Sequence, residues 1–379
     1  MKRILMVAAL VLLGCDDNDN NKSSNNEINN STNNVTNNST NTLCQEIPEI
    51  ESFSRVAIIS TDYENGSIGI LDMADENYEI LNDQLPVHSD ALGRVYGDVL
   101  YIINRLGADN ITAYDAQTLE LIYQVSTGQQ SNPQDFVLID SCKAYISLLG
   151  KSYISIIDPV TGEISTEVIN MDDFADEDGL PEISFMEKYD DVVFVAVQNL
   201  IDYVPSRNGR IVKLNPETDE VSGIIELSGE NPFTPIVKVG DTSLLAVGCA
   251  GDFSGDDSTL EVFDRSGEIV QIIGDSESIG GVITDLVFID DYCSYCVVST
   301  PDWQTGIKKI CMENESEWII EPGEYDIAGI TVTPENNLIF GERNTPAVRL
   351  IDIQNEGTGP VMLELSLPPS FSRPFIPMD

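Results

Sequence analysis

The stretch SYISIIDPVTGEIS, residues 152–165, has two short apolar segments on either side of a polar turn. Apolar residues that alternate with a period of two are typical of a β-strand with one buried face. Asp158 ends the first segment, where its side chain can bond to the backbone of the turn, and Gly162 allows a positive φ there. The stretch therefore predicts a β-hairpin in which the aspartate has a structural role.

Variants of this hairpin recur along the chain. The residues that take the place of Asp158 in the other copies are Asp72, Asp115, Asn215, Asp264, Met312 and Asp352. Successive positions are separated by 43, 43, 57, 49, 48 and 40 residues. A repeat of this length with about four short strands per copy is typical of a β-propeller. We therefore predict an all-β fold, a seven-bladed β-propeller with four-stranded blades.

The first and last copies predict how the ring closes. In the second copy we expect strands at 93–97, 99–105, 110–114 and 119–126, but before residue 55 the first copy has no segment for an inner strand. The last copy has a segment to spare, at 370–376. We expect this C-terminal segment to return and supply the missing strand, because closure removes the open edges of the sheet.

The N-terminus has the pattern of an export signal. Lys2 and Arg3 precede an apolar run at 4–13 that is too short for a transmembrane helix. The run ends in Leu-Leu-Gly-Cys15, which resembles the lipobox of bacterial lipoproteins. The resemblance implies that residues 1–15 are a lipoprotein signal peptide and that a lipid on Cys15 anchors the protein in the bacterial cell envelope. The alternative is an ordinary signal peptide with a coincidental cysteine.

Two composition shifts complete the domain prediction. Residues 16–43 are rich in Asn, Ser, Thr and Asp, and such a segment cannot bury enough apolar surface to fold, so we expect a disordered tether. Residues 44–379 would then form the propeller. The chain has 64 acidic and 19 basic residues, a formal net charge of -45. This field repels nucleic acid and anionic lipid, so we expect no nucleic-acid partner and membrane contact only through the lipid. We also expect a monomer.

Residues 100–138 carry a family resemblance. Tyr101-Ile-Ile-Asn104 stands where the repeat of the YVTN-type seven-bladed propellers has its name motif, and Asn132-Pro133 stands where that repeat links to the next blade. The match is good over about one blade and partial over 50–379. The resemblance implies the fold only, because the family includes lactone hydrolases, copper enzymes, amine dehydrogenase subunits and surface proteins without known activity.

The loops of the predicted propeller differ in charge between its two faces. The turns between the first and second and the third and fourth strands are acidic, whereas the opposite face carries basic residues from four blades, namely Arg105, Lys151, Arg207 and Arg343. His88 is the single histidine of the chain, and it lies on the same face with Asp90 as a possible acid–base partner. With Asn132 these residues are the candidate ligand-binding set. The alternatives are rim arginines that neutralise acids and a histidine with a structural hydrogen bond.

Two acidic loops are candidate calcium sites, because Ca²⁺ prefers several closely spaced oxygen ligands. One contains Asp252, Asp256 and Asp257, and the other contains Asp173, Asp176 and Asp178. Neither has the full spacing of a twelve-residue calcium loop, so solvated loops are the alternative.

The exported context permits disulfides. Cys296 and Cys311 are equidistant from the turn at 301–306, which predicts a cross-strand disulfide, and Cys44 with Cys142 is a second candidate pair. A second CxxC motif beside 293–296 is missing from the sequence, which argues against zinc.

Three functions remain open at this point. The first is a lipid-anchored binding module for an unknown protein or small-molecule ligand. The second is a lactonase-like propeller hydrolase or lyase with its site in the central funnel, against which the lack of clustered histidines argues. The third is a structural protein of the envelope. The sequence has no nucleophile elbow, P-loop, dinucleotide fingerprint or HExxH motif.

Overall fold

The computed structural model describes residues 44–45, 53–74, 78–273, 278–313, 315–333, 337–352, 361–370 and 375–378. The predicted signal peptide, Cys15 and the predicted tether lie outside these residues. The strands belong to one compact unit, Cys44–Asp379. None of the described residues forms a helix that is long and apolar enough to cross a membrane.

The described strands form seven four-stranded antiparallel blades. Blade 1 contains β1 (Arg55–Thr61), β2 (Gly66–Asp72) and β3 (Glu79–Val87), together with β30 (Phe375–Met378) from the C-terminus. Blade 2 contains β4 (Ala91–Tyr96), β5 (Val99–Asn104), β6 (Asn110–Asp115) and β7 (Leu121–Ser126). Blade 3 contains β8 (Pro133–Asp140), β9 (Lys143–Leu148), β10 (Tyr153–Ile157) and β11 (Ile164–Asn170).

Blade 4 follows a short 3-10 turn, Asp172–Phe174, and includes an inserted two-stranded hairpin. Its strands are β12 (Ile183–Tyr189), β13 (Val192–Val197), β16 (Asn208–Asn215) and β17 (Glu220–Glu230), and the inserted hairpin is β14 (Leu200–Ile201) with β15 (Val204–Pro205). Blade 5 contains β18 (Val237–Lys238), β19 (Leu244–Cys249), β20 (Thr259–Asp264) and β21 (Ile269–Ile273). Blade 6 contains β22 (Val282–Phe288), β23 (Cys293–Ser299), β24 (Thr305–Cys311) and β25 (Ser316–Ile320). Blade 7 contains β26 (Ile327–Val332), β27 (Asn337–Glu342), β28 (Ala347–Asp352) and β29 (Val361–Glu364).

The predicted all-β seven-bladed propeller is therefore confirmed, and its ring closes as expected. β30 pairs with β1 in antiparallel register, with Arg55 opposite Met378 and Ile58 opposite Phe375. The C-terminal strand thus supplies the inner strand of blade 1. Without it, the edge of β1 would be unpaired.

The apolar core is divided among the seven junctions between successive blades. In β5, Leu100 and Ile102 pack toward blade 1, whereas Tyr101 and Ile103 pack toward blade 3. Successive residues of a strand point to opposite faces of its sheet, so a central strand that is apolar throughout contributes to both junctions. The outer strands, such as β7, have exposed positions on one side. Stability therefore depends on every blade having two neighbours.

The aspartates that define the repeat cap their turns, as predicted. Asp158 Oδ1 accepts hydrogen bonds from the backbone N–H groups of Val160 and Thr161 at 2.8 and 3.0 Å. Asp115 bonds to the corresponding groups of its own turn. The capping aspartate is therefore a structural part of the blade.

The predicted pairing of Cys296 with Cys311 is wrong, because the disulfide joins Cys293 to Cys311. In the β23–β24 hairpin Ser299 lies opposite Thr305, which places Cys293 opposite Cys311 and leaves Cys296 as a buried thiol on the other face of the strand. The prediction centred the turn at 301–306, whereas the register centres it on residue 302, so the predicted partner was displaced by three residues.

Candidate functional site

The candidate residues lie on one face of the propeller. We call it the upper face, and it carries the loops that join the second strand of a blade to the third and those that join successive blades. The lower face carries the other turns. There the Ser141 N–H donates to the Gln45 carbonyl at 2.9 Å, and the Gln45 N–H donates to the Ser141 hydroxyl at 3.0 Å. Cys44 is bonded to Cys142 in the β8–β9 turn, so the disulfide fixes Cys44 to the lower face.

His88, Asp90 and Arg105 form one hydrogen-bonded cluster on the upper face. Arg105 follows β5, and its guanidinium pairs with the carboxylate of Asp90, which precedes β4. The ring Nδ1 of His88 accepts the backbone N–H of Asp90 at 3.1 Å, and the backbone N–H of His88 donates to Asn104 Oδ1 at 3.1 Å. The Asp90 carboxylate is therefore the ion-pair partner of Arg105. The expected acid–base pair between His88 and Asp90 is not formed.

The cluster continues to the link into blade 3. Arg105 Nη1 donates to Gln134 Oε1 at 3.0 Å, and Gln134 Nε2 donates to Asn132 Oδ1 at 3.1 Å. Asn132 Oδ1 also accepts the backbone N–H of Leu106 at 3.1 Å. The structure thus brings together four of the seven candidate residues, and their polar groups bond mainly to one another.

Arg343 repeats the arrangement of Arg105 in blade 7. It follows β27 and pairs with Asp326, which precedes β26. The backbone N–H of Arg343 donates to the carbonyl of Asp326 at 2.8 Å, and that of Arg105 donates to the carbonyl of Asp90 at 3.0 Å. Because the two pairs occupy equivalent positions, they stabilise the junction of the first and second strands, as the alternative interpretation of the rim arginines predicted.

Lys151 and Arg207 are not part of these pairs. Lys151 is partly buried beside blade 3, and Arg207 is exposed in the loop before β16. Neither side chain has an ion-pair partner among the described residues. Of the four predicted basic residues, Arg105 and Arg343 are therefore structural, whereas Lys151 and Arg207 have no ion-pair partner within the described ranges.

Glu182 is a residue that the sequence analysis missed. It precedes β12 as Asp90 precedes β4, and its carbonyl accepts the backbone N–H of Gln198 at 3.2 Å. Gln198 stands where blades 2 and 7 have an arginine, so Glu182 has no equivalent cation. Burial is the main cause that raises the pKa of Glu182 to about 8. A hydrogen bond from the Leu200 N–H opposes this rise, and the carboxylates of Asp178 and Asp176 add to it.

The signal for Glu182 was present in the sequence. Once the blades are superimposed, blades 2, 4 and 7 each have an acidic residue before the first strand. The residue that follows the second strand is arginine in blades 2 and 7 and glutamine in blade 4. Finding it requires the boundaries of each strand, and these depend on the fold. Glu182 also has a φ of 48° in the left-handed region, where a residue with a long side chain is uncommon.

The predicted calcium ligands lie in two upper-face loops. Asp176 Oδ2 accepts the Ser206 hydroxyl at 2.6 Å, and Asp178 Oδ1 accepts the Leu180 N–H at 2.9 Å. In the other loop, Asp257 Oδ2 accepts the backbone N–H of Asp252 at 3.1 Å.

These carboxylates do not gather into a ready ligand set. Within the described ranges, the one close group of three possible metal ligands is Cys44, Asp140 and Cys142, and its two cysteines are disulfide-bonded. Asp173 and Asp256 are exposed beside the other candidates. The calcium sites stay a prediction.

A buried ion cluster joins the inner strands of blades 2, 3 and 4. Arg94 in β4 donates from Nε and Nη2 to the two carboxylate oxygens of Asp135 in β8, at 2.8 and 2.7 Å. Asp135 also accepts the N–H of Met186 in β12 at 2.9 Å, and Arg94 reaches Glu187 at 3.4 Å. The polar groups of this cluster are satisfied by one another, so its evident role is to hold three blades together.

Comparison with solved structures supports the fold. A putative 6-phosphogluconolactonase from Bacteroides fragilis is 14% identical with a TM-score of 0.59, over 85% of this chain and 98% of that chain. A streptogramin B lyase is 11% identical with a TM-score of 0.55, over 75% and 86%. Hydrazine synthase from Kuenenia stuttgartiensis is 18% identical with a TM-score of 0.52, over 68% and 74%. At these identities the similarity shows the fold alone.

Comparison of the sequence with known families shows to which family the chain belongs. No curated protein matches it significantly. The model of the family described as "Domain of unknown function (DUF5074)" matches residues 58–265, from β1 in blade 1 into the turn that follows β20 in blade 5. That match spans more than half of the chain, and the protein therefore belongs to the DUF5074 family.

Proposed function

We propose that the protein is an exported, lipid-anchored β-propeller that binds a protein or small-molecule ligand with its upper face. The observation that carries this proposal is the disulfide between Cys44 and Cys142. It fixes Cys44 to the β8–β9 turn of the lower face and leaves the upper face free of this attachment. The upper face is therefore the one that we propose for ligand binding.

The upper face also has the features of a binding surface. Its loops vary in length and sequence from blade to blade, while the turn-capping residues of the lower face repeat. Function in a propeller is carried by loops on a rigid scaffold, so the variable face is the better candidate for recognition. The lipid anchor on Cys15 belongs to the same proposal and rests on the sequence motif.

Site-specific photo-crosslinking in the native host tests the location of the ligand. A benzoylphenylalanine replaces Gln129, which is exposed on the upper face between β7 and β8, or Val160, which is 65% exposed on the lower face. We expect a discrete adduct at position 129, detected by mass spectrometry, and none at position 160. Adducts at position 160 alone, or at neither position, would contradict the proposal.

Metabolic labelling tests the anchor separately. Cells fed an alkyne-tagged fatty acid should label the protein, and Cys15→Ser should abolish the label and release the protein from the membrane fraction. Labelling that persists in Cys15→Ser would show that the lipid is not on this cysteine.

A second candidate is a lactonase-like hydrolase or a lyase, and Glu182 is the observation that favours it. A buried carboxyl with a pKa of about 8 keeps its proton near neutral pH and can act as a general acid. The test measures hydrolysis of a phosphorylated sugar lactone by the full chain and by Glu182→Gln. Ring opening releases acid, and titration at constant pH measures its rate. Turnover that is lost in the variant would favour the enzyme over the binding module.

A further inference from the structure

Four loops of the upper face share a dipeptide that the repeat does not require. Each loop joins the second and third strands of its blade and contains an aspartate followed by an aromatic residue. The four pairs are Asp62–Tyr63 in blade 1, Asp202–Tyr203 in blade 4, Asp252–Phe253 in blade 5 and Asp302–Trp303 in blade 6.

The four aromatic residues have an unfavourable backbone conformation. Tyr63, Tyr203, Phe253 and Trp303 have φ values of 73°, 65°, 64° and 65°. This left-handed region suits glycine and asparagine, whereas bulky side chains rarely adopt it. Because glycine would form these turns at lower energy, turn formation does not explain the aromatic rings. Residues held in such conformations tend to occur at functional sites.

The rings are available to a partner. Tyr63, Tyr203 and Trp303 are 66%, 68% and 37% exposed. Phe253 is half-buried and packs edge-on against Phe233, with ring centroids 5.2 Å apart. The loops of blades 5 and 6 adjoin, since a Cβ on Gly255 would lie 3.5 Å from the Pro301 side chain. The aromatic residues of these two blades therefore border one surface.

The aspartates that precede the rings have no counterion among the residues that the structure describes. Asp62 Oδ1 accepts the N–H groups of Asn65 and Glu64 at 2.6 and 3.0 Å, and these bonds lower the pKa of its carboxyl group. None of the four aspartates forms an ion pair in the described part of the chain, although Arg207 lies near one of the loops in sequence. With a net charge of -45, the protein supplies these loops with few cations of its own.

We propose that the four acidic–aromatic loops bind a lysine- and arginine-rich segment of a partner protein. The inference rests on the proposed binding role of the upper face and names the chemistry of the partner. Ammonium and guanidinium groups are attracted by ring faces and by carboxylates, so one cation can satisfy both members of a pair. Exposed Tyr and Trp are also the residues that contribute most to binding at protein interfaces. The charge of the whole molecule would speed the encounter.

The test uses a fluorescein-labelled nonalysine peptide and the full chain, with anisotropy measured in about 0.15 M NaCl. We expect the triple variant Tyr63→Ala, Tyr203→Ala, Trp303→Ala to raise Kd about tenfold, since each ring contributes a modest cation–π term. Tyr292→Ala is the matched control. Tyr292 follows Asp291 and is 66% exposed, but it lies in the β22–β23 turn of the lower face. Its replacement should change Kd by less than about twofold.

A single glycine variant separates binding from folding. Trp303→Gly relieves the left-handed strain and removes the ring, so it should raise Tm while it weakens peptide binding. Equal losses of peptide affinity in the triple variant and in Tyr292→Ala would show that the peptide is attracted without preference for the four loops. This result would overturn the proposal. Unchanged binding in the triple variant would overturn it as well.

A glycan is the other class of ligand that stacks on exposed rings. Electrophoresis in gels that contain a neutral polysaccharide tests it with the same variants. Retardation that depends on the three rings, together with peptide binding that does not, would overturn the cationic partner. Upper-face crosslinks at position 129 that persist while peptide binding fails would refute only this inference. If the protein with its native rings gives no crosslink at position 129, the proposed function itself is refuted.

Discussion

Glu182 is a carboxyl group that has no ion-pair partner in the described part of the fold. Asp90 and Asp326 occupy equivalent positions and are neutralised by arginines, whereas the partner position in blade 4 is Gln198. A single difference of residue type at one position of the repeat therefore changes a structural ion pair into a buried acid. Because burial raises the pKa of Glu182 to about 8, this group is sensitive to pH near neutrality.

The Glu182 carboxyl should make stability depend on pH. The unfolded chain loses this proton near its ordinary pKa of 4.5, and the folded chain keeps it until about pH 8. Between these values the folded state binds more protons, so the contribution of Glu182 to the free energy of unfolding falls as pH rises. We expect Glu182→Gln to gain stability relative to the native chain from pH 5 to pH 8, measured by urea unfolding at several pH values.

Asp90→Asn is the control for the pH experiment, because it removes a carboxylate that is already paired. It should destabilise the protein throughout this range, because Arg105 loses its ion-pair partner. A constant difference between the native chain and Glu182→Gln at every pH would contradict a raised pKa.

At the scale of elements, the inner strands are joined by charge as well as by backbone pairing. Asp135 is buried, with 3% of its side chain exposed, and it binds Arg94 of blade 2 and the backbone of Met186 in blade 4. One carboxylate thus connects three blades. The contact explains how polar residues can lie among the innermost strands of the ring.

Replacement of Asp135 by alanine should be costly. It leaves the mostly buried guanidinium of Arg94 without its bidentate partner, and breaking a buried ion pair typically costs about 3–5 kcal/mol. We expect a loss of this order in the free energy of unfolding by urea. Glu226→Ala is the control, since Glu226 pairs with Arg210 but is 64% exposed, and its loss should cost at most about 1 kcal/mol. Similar losses in both variants would argue against a special role for Asp135.

Ring closure depends on the strand β30. Deletion of residues 375–379 should leave the edge of β1 unpaired and expose part of the core around Met378, which is fully buried. We expect a lower Tm and association between molecules, measured by calorimetry and light scattering. Deletion of five residues from the predicted tether should leave both properties unchanged. A shortened chain that stays monomeric with the native Tm would contradict closure by β30.

At the scale of the whole molecule, the net charge of -45 acts against compactness. Salt screens repulsion between exposed carboxylates, so Tm should rise by a few degrees when NaCl is raised from about 0.01 to 0.5 M. Scanning calorimetry measures the effect. If Tm does not change with NaCl, the stability lost when salt screens the ion pairs equals the stability gained when it screens the repulsion.

The same experiment tests the two predicted calcium loops. CaCl₂ at equal ionic strength should raise Tm more than NaCl does if a site is present, because a ligand that binds only the folded state stabilises it. The extra rise should disappear in Asp176→Asn or in Asp252→Asn, according to which loop binds the ion. Equal effects of the two salts would refute calcium binding at both loops.

The sequence predicted well those features that depend on neighbouring residues. The period of the repeat, the turn-capping aspartates and the missing inner strand all follow from local alternation and turn chemistry, and the fold confirms them. The disulfide pairing failed because strand register is set by packing on both faces of the blade. A displacement of a few residues in an assumed turn selects a different cysteine.

By itself, then, the sequence determined the seven-bladed architecture and the face on which its unusual residues lie. The state of those residues was decided by the tertiary structure. Whether Arg105 is free or paired depends on Asp90, fifteen residues away, and the acid at Glu182 depends on which residue follows the neighbouring strand. Charge and strain in a site are properties of what surrounds each group, and in a propeller those surroundings come from adjacent strands and adjacent blades.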